Sequence, residues 1–141
     1  MKTMRMLILD DDQADLILTQ TQLEADKVKL DLACFTQPKE AMEYLRHNSV
    51  DVIMTDMILP GTDGLEFIKQ ARDEKLIDKE PIIVMSGLQD PILEAQADLA
   101  GVKLWVEKPL SLAKVHHIVM NLPRFFMAVV QEDQPTLTPV V

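Results

Sequence analysis

The 141-residue sequence predicts a single α/β domain built on a doubly wound, five-stranded parallel sheet with helices on both faces. Three observations predict it. Five short apolar runs, MLIL, KLDLACF, VDVIMT, PIIVM and VKLWVE, alternate with five segments of helical period. The middle run is β-branched and almost wholly apolar, as a central strand covered on both faces must be. Four of the runs end on a polar residue: Asp10-Asp11-Asp12, Asp56, Ser86 and Lys108. The carboxyl ends of parallel strands are where open α/β sheets bind ligands.

Each element has its own local signal. MLIL opens the chain, and Asp12 caps a helix from about Gln13 to Ala25, with acids favourable at its positive end. KLDLACF is the second strand, and Pro38 suits the first turn of a helix that carries Ala41, Met42 and Leu45 on one face. VDVIMT is the third strand. After Asp56 the segment LPGTDG reads as a loop, with turn signals at Pro60-Gly61 and Asp63-Gly64, before a helix bearing Leu65, Ile68 and Ala71. PIIVM is the fourth strand, Asp90-Pro91 starts the fourth helix and Gly101 ends it. VKLWVE is the fifth strand, closed by Lys108-Pro109, and Ser111 caps a last helix with an apolar face of Leu112, Val115, Ile118, Val119 and Leu122.

Five βα units with right-handed crossovers give an expected strand order of 2-1-3-4-5. Strands 1 and 3 then flank the point where the order reverses, so Asp10, Asp11 and Asp56 converge there. Three carboxylates in one pocket repel each other unless a cation neutralises them, and hard oxygen ligands of this kind suit Mg²⁺. A bound metal in turn points to a phosphate.

Composition narrows the function classes. A net charge of −9 argues against direct nucleic acid binding by this segment, because the polyanion would be repelled. No apolar run is long enough for a membrane span, and the first one meets three aspartates before a signal peptide's apolar region is complete. Cys34 is the single cysteine, so no internal disulfide forms, and its apolar surroundings suggest a buried, inert thiol in the cytoplasm.

The matching stretches LILDDD, IMTDMILPGTDG, IIVMSG and VEKPL, in this order and each at a strand end, make the sequence resemble the receiver domain of two-component response regulators over nearly all of residues 4 to 122. The resemblance is to chemotaxis-regulator-like members with a flavodoxin-like fold. It implies that Asp56 is the phosphoacceptor, and that Asp10 and Asp11 bind Mg²⁺, Asp11 directly and Asp10 mainly through water. It further implies that the backbone carbonyl of Ile58 completes the protein's share of the metal shell. Lys108 and Ser86 would contact the phosphoryl oxygens. Ser86 and Trp105, the latter where the family usually has Tyr or Phe, would form the switch that reshapes the surface of helix 4, strand 5 and helix 5. The implied donor is a sensor histidine kinase or phosphotransfer protein, and the implied target an output domain or downstream protein. Ile58 and Leu88 stand where family members often carry polar groups that orient attacking water, which predicts a long-lived phosphoaspartate.

Simpler readings stand beside these. Ser86-Gly87 is also an ordinary turn, and Trp105 is also a packed aromatic. His116 and His117 are adjacent, about 100° apart on a helix, and so do not make an i,i+4 metal pair. His47 reads as a dipole partner at a helix end, and the methionines as core filler. Two other function classes compete. An aspartate-nucleophile phosphatase of the haloacid dehalogenase type needs a D-x-D-x-[TV] pattern, which Asp10-Asp11-Asp12-Gln13-Ala14 lacks. A receiver-like interaction module would never be phosphorylated.

Residues 1–122 therefore read as a receiver domain and 123–141 as a C-terminal extension or a linker to a missing output domain. Pro123 should break or kink the last helix, RFFMAVV needs apolar cover from its own domain, from a second copy in a homodimer or from another domain, and QEDQPTLTPVV reads as a flexible linker.

Overall fold

The computed structural model describes residues 4–26, 30–78, 80–87, 90–108, 110–121, 125–129 and 136–140, the last two segments and Val119 as backbone alone. Leu88, Pro109, Leu122 and Pro123 lie outside the described residues. The elements run β1 (Arg5–Leu9), α1 (Gln13–Ala25), β2 (Asp31–Phe35), α2 (Pro38–His47), β3 (Val52–Asp56), β4 (Ile58–Leu59), β5 (Thr62–Asp63), α3 (Gly64–Asp73), β6 (Ile82–Ser86), α4 (Pro91–Leu99), β7 (Leu104–Glu107), α5 (Leu112–Met120), β8 (Phe125–Val129) and β9 (Thr136–Val140).

Five strands pair in parallel in the order β2-β1-β3-β6-β7, the expected 2-1-3-4-5 once the two-residue strands β4 and β5 are set aside. Successive side chains of a strand point to opposite faces, and the packing follows that alternation. On one face Met6, Ile8, Met54, Ile83 and Met85 pack with Leu16 and Leu23 of α1 and with Val115 and Ile118 of α5. On the other, Leu7, Leu9, Ile53 and Ile82 pack with Ala41, Met42 and Leu45 of α2 and with Phe67, Ile68 and Ala71 of α3. The many buried methionines are core filler, as expected.

Three helices start at the caps the sequence assigns, Asp12, Asp90 and Ser111, and Asp63, read only as a turn residue, caps a fourth. Asp12 accepts hydrogen bonds from the Ala14 and Asp15 N–H groups at 2.9 and 3.3 Å. Asp63 accepts from Glu66 N at 2.8 Å, and Asp90 from Ile92 N and Leu93 N at 3.0 and 3.3 Å. Ser111 Oγ accepts from Lys114 N at 3.3 Å. A second carboxylate, Asp26 at the end of α1, accepts from Leu112 N at 2.9 Å and so ties α1 to the start of α5. Gly101 ends α4 with φ at +84°, the left-handed conformation that suits glycine.

The structure departs from the sequence reading in three places. LPGTDG is a tight hairpin, with Ile58 paired to Asp63 and Leu59 to Thr62 around Pro60-Gly61, where Gly61 takes φ +72°. The segment read as a flexible linker supplies β9, which pairs antiparallel with β8; the alternating β-branched residues of TLTPV favour a strand, and Pro139 is tolerated because a two-stranded ribbon has only edges. Cys34 is half buried, with Gln20 Nε2 at 3.6 Å from its sulfur, and burial pushes its thiol above the ordinary value. No helix among the described residues is long and apolar enough to cross a membrane.

Candidate functional site

Strand register builds the site before any side chain is considered. Leu9 pairs with Thr55, so the residues just beyond, Asp10 and Asp56, leave adjacent strands at one level. Asp56 pairs with Met85 and Ser86 with Glu107, which places Ser86 and Lys108 immediately past their neighbours along the same row. The Lys108 N–H donates to the Ser86 carbonyl at 3.1 Å, tying the two strand ends together.

Lys108 is the centre of the charge arrangement. Its Nζ lies 2.7 Å from Asp10 Oδ2, 2.9 Å from Asp56 Oδ2 and 3.0 Å from Asp15 Oδ2. It donates directed hydrogen bonds to Asp56 and Asp15. The contact with Asp10 Oδ2 is a bare ion pair: that oxygen is buried and has no hydrogen-bond partner of acceptable geometry. Asp10 Oδ1, by contrast, accepts from Asp12 N at 2.9 Å. Burial raises the Asp10 carboxyl above its ordinary value, against the pull of Lys108 and the Asp12 N–H. Burial alone would lower the Lys108 ammonium, but Asp10, Asp56 and Asp15 outweigh it and hold the group firmly charged.

Oxygens of Asp10, Asp11 and Asp56 come within 4.8 Å of one another. This donor set fits a hard dication: three carboxylates, graded from buried Asp10 through half-buried Asp56 to exposed Asp11, with one buried oxygen that accepts no directed hydrogen bond. The loop after Asp56 is held close. Gly64 N donates to Met57 O at 2.8 Å, and a Cβ on Gly64 would stand 2.3 Å from the Asp56 carbonyl oxygen, so only glycine fits. Ile58 N–H approaches Asp56 Oδ1 at 3.4 Å, while the Ile58 side chain is 60% exposed.

Ser86 is buried at the end of β6. Trp105 is not in the acidic pocket. It packs on Met57, Val84 and Ala97 together with Leu65, Leu93 and Val102, and lines a groove between α4 and β7 of about 590 Å³; its Nε1 is buried without a partner. His116 and His117 are exposed, and His47 pairs with Glu43 at 3.1 Å rather than standing free. Asp15 is the site residue that the sequence reading missed. The available signal was its place in the first turn of α1, four residues after Asp11, where a side chain leans back toward the helix start.

Fold and site together define a doubly wound α/β domain with an acidic cluster and a lysine at its topological switch point. The chain belongs to the response regulator receiver domain family, whose sequence model matches residues 6–120. It is 30% identical over 135 residues to the response regulator MprA of a Mycobacterium species, spanning 95% of this chain and 56% of that protein. It is 26% identical over 123 residues to the sensory/regulatory protein RpfC of Xanthomonas campestris, spanning 86% of this chain and 17% of that protein. The chain thus covers only part of the length of these relatives. Among solved structures, the bacteriophytochrome response regulator AtBRR superposes with a TM-score of 0.77 at 22% identity, covering 94% of this chain and all of that one.

Proposed function

We propose that this domain accepts a phosphoryl group on Asp56 in a Mg²⁺-dependent reaction and that phosphorylation switches its α4/β7/α5 surface to control an output. The observation that carries the reading is the single ammonium of Lys108 set 2.9 Å from Asp56 Oδ2, beside three carboxylates arranged for one cation. A carboxylate is a weak nucleophile toward a phosphoryl dianion until charge is neutralised and the reactants are aligned. Asp10, Asp11, Asp56 and the Ile58 carbonyl would hold the Mg²⁺, which when bound offsets the negative charge of carboxylates and phosphoryl oxygens. An Asp56 oxygen forms the new P–O bond as the bond from phosphorus to the donor's imidazole nitrogen breaks, and the imidazole leaves with its electron pair. Lys108 and the Ser86 hydroxyl bind the equatorial oxygens of the transferred group. Water later cleaves the acyl phosphate and resets the domain.

The donor in this reading is a sensor histidine kinase or phosphotransfer protein, in the cytoplasm. Residues 1–122 are the receiver, and 123–141 an extension or link toward an output domain, in keeping with relatives much longer than this chain. Ser86 couples to Trp105 through the end of β6, with Met57, the neighbour of Asp56, in the apolar cluster against which the indole packs. A shift from 1:99 to 99:1 between two surface states needs about 5.5 kcal/mol of differential stabilisation.

The test is mass spectrometry after incubation with acetyl phosphate and Mg²⁺. A labile phosphate adduct on the wild type that is absent from Asp56→Asn is the expected result. Turnover of a phosphorylated substrate would replace this reading with a phosphatase, and no reaction of either kind would leave an interaction module.

A further inference from the structure

We infer that Asp15 is a placeholder anion: it holds a hydrogen bond on Lys108 for which an incoming phosphoryl oxygen competes, and of the three carboxylates there it is the one most readily given up. The inference rests on the phosphoacceptor reading of the same pocket. Three carboxylates already surround Lys108 Nζ within 3.0 Å, Asp56 and Asp15 on directed hydrogen bonds and Asp10 as a bare ion pair. A phosphoryl oxygen reaching Lys108 therefore competes with them for its charge. Asp10 is fully buried, and its Oδ2 has no other donor, so releasing it strands a charge in the core. Asp56 is the acceptor, so its own contact with Lys108 passes to the phosphoryl group it carries. Asp15 alone stands on a helix surface, its side chain 37% exposed, able to turn into water when Lys108 moves.

The backbone near Asp15 leaves its side chain available for this role. The Asp12 carboxylate caps α1 and takes the Asp15 N–H, so the Asp15 carboxylate is not needed as the cap. A favourable interaction with the helix dipole explains an acid in the first turn, but it does not require a hydrogen bond to a residue 93 positions away. The consequence is a competition. Asp15 holds Lys108 over the pocket in the resting state, and it lowers the pocket's affinity for an anion by offering one of its own.

The experiment measures two affinities by calorimetry on the full chain: Mg²⁺ alone, and beryllofluoride at saturating Mg²⁺. In Asp15→Asn and Asp15→Ala, beryllofluoride should bind tighter by about two- to fivefold, the range for a half-exposed ion pair, while Mg²⁺ alone binds equally or more weakly. Glu24→Gln, an equal charge change on the exposed face of α1, should leave both affinities unchanged. A purely structural role for Asp15 would weaken both ligands together, and that result, or unaltered beryllofluoride binding, overturns the inference. Should the wild type bind no beryllofluoride, the phosphoacceptor reading itself falls, and the placeholder with it.

Discussion

Asp11 is exposed, yet it sits within 4.8 Å of two other carboxylates. Two like charges at that distance repel by about 1 kcal/mol even in water. Without metal, Asp11→Asn should therefore raise the melting temperature by about 3 °C. Mg²⁺ at a hundred times its dissociation constant should stabilise the wild type by about 2.7 kcal/mol, roughly 10 °C, and the variant far less. Identical melting curves for the two proteins, with and without Mg²⁺, would remove Asp11 from the ligand set. Ile58 carries a prediction about lifetime. An alkyl side chain beside Asp56 cannot position water, so Ile58→Asn should speed loss of radiolabel from phospho-Asp56 about tenfold, a barrier change of about 1.4 kcal/mol. An unchanged decay rate would show that Ile58 has no part in it. The acids and the lysine were legible in the sequence because each ends an apolar run. Asp15 was not, because its role depends on a lysine that only the folded sheet brings to it.

Gly64 sets the position of a whole loop. In Gly64→Ala the new Cβ would meet backbone rather than a yielding side chain, so the hairpin β4-β5 or the end of β3 must shift. The cost is about 1–3 kcal/mol, read as a lower urea midpoint, with weaker Mg²⁺ binding as Asp56 moves. Gly87→Ala, where a Cβ meets nothing within 4 Å, should stay within about 0.5 kcal/mol of wild type. If both variants unfold at the same urea concentration, the close approach is not what selects glycine at position 64. At β7, beryllofluoride with Mg²⁺ should change the emission of Trp105, the single tryptophan, and Ser86→Ala should reduce the change. Constant emission despite binding would make the indole a static packing residue. Elements of high local consistency were readable: Asp12, Asp90 and Ser111 cap the helices the sequence assigns to them, while Asp63, read as part of a turn, caps α3 as well. The hairpin after Asp56 and the pair β8-β9 were not, since both depend on cross-strand pairing over a few residues, where turn signals mark a loop as readily as a strand.

At the scale of the molecule, strand order and the layers were legible because alternating βα units leave few ways to wind a sheet. The uneven anchoring of the layers was not, because amphipathic period says which face is apolar and not how much of it finds cover. Phe67, Ile68 and Ala71 bury α3 against the sheet, whereas Ala97 is the only buried residue of α4, with Ile92 and Leu99 of that helix 71% and 89% exposed. Local opening free energy follows buried apolar contact. Amide protons of α4 should thus exchange with deuterium at rates set by a partial opening, well ahead of those in α3, and bound beryllofluoride should slow them selectively. Equal protection of the two helices would refute this. A helix so lightly held needs little work to be re-seated, so a charge placed at the sheet's mouth can be read on this flank while the opposite face of the sheet keeps its packing.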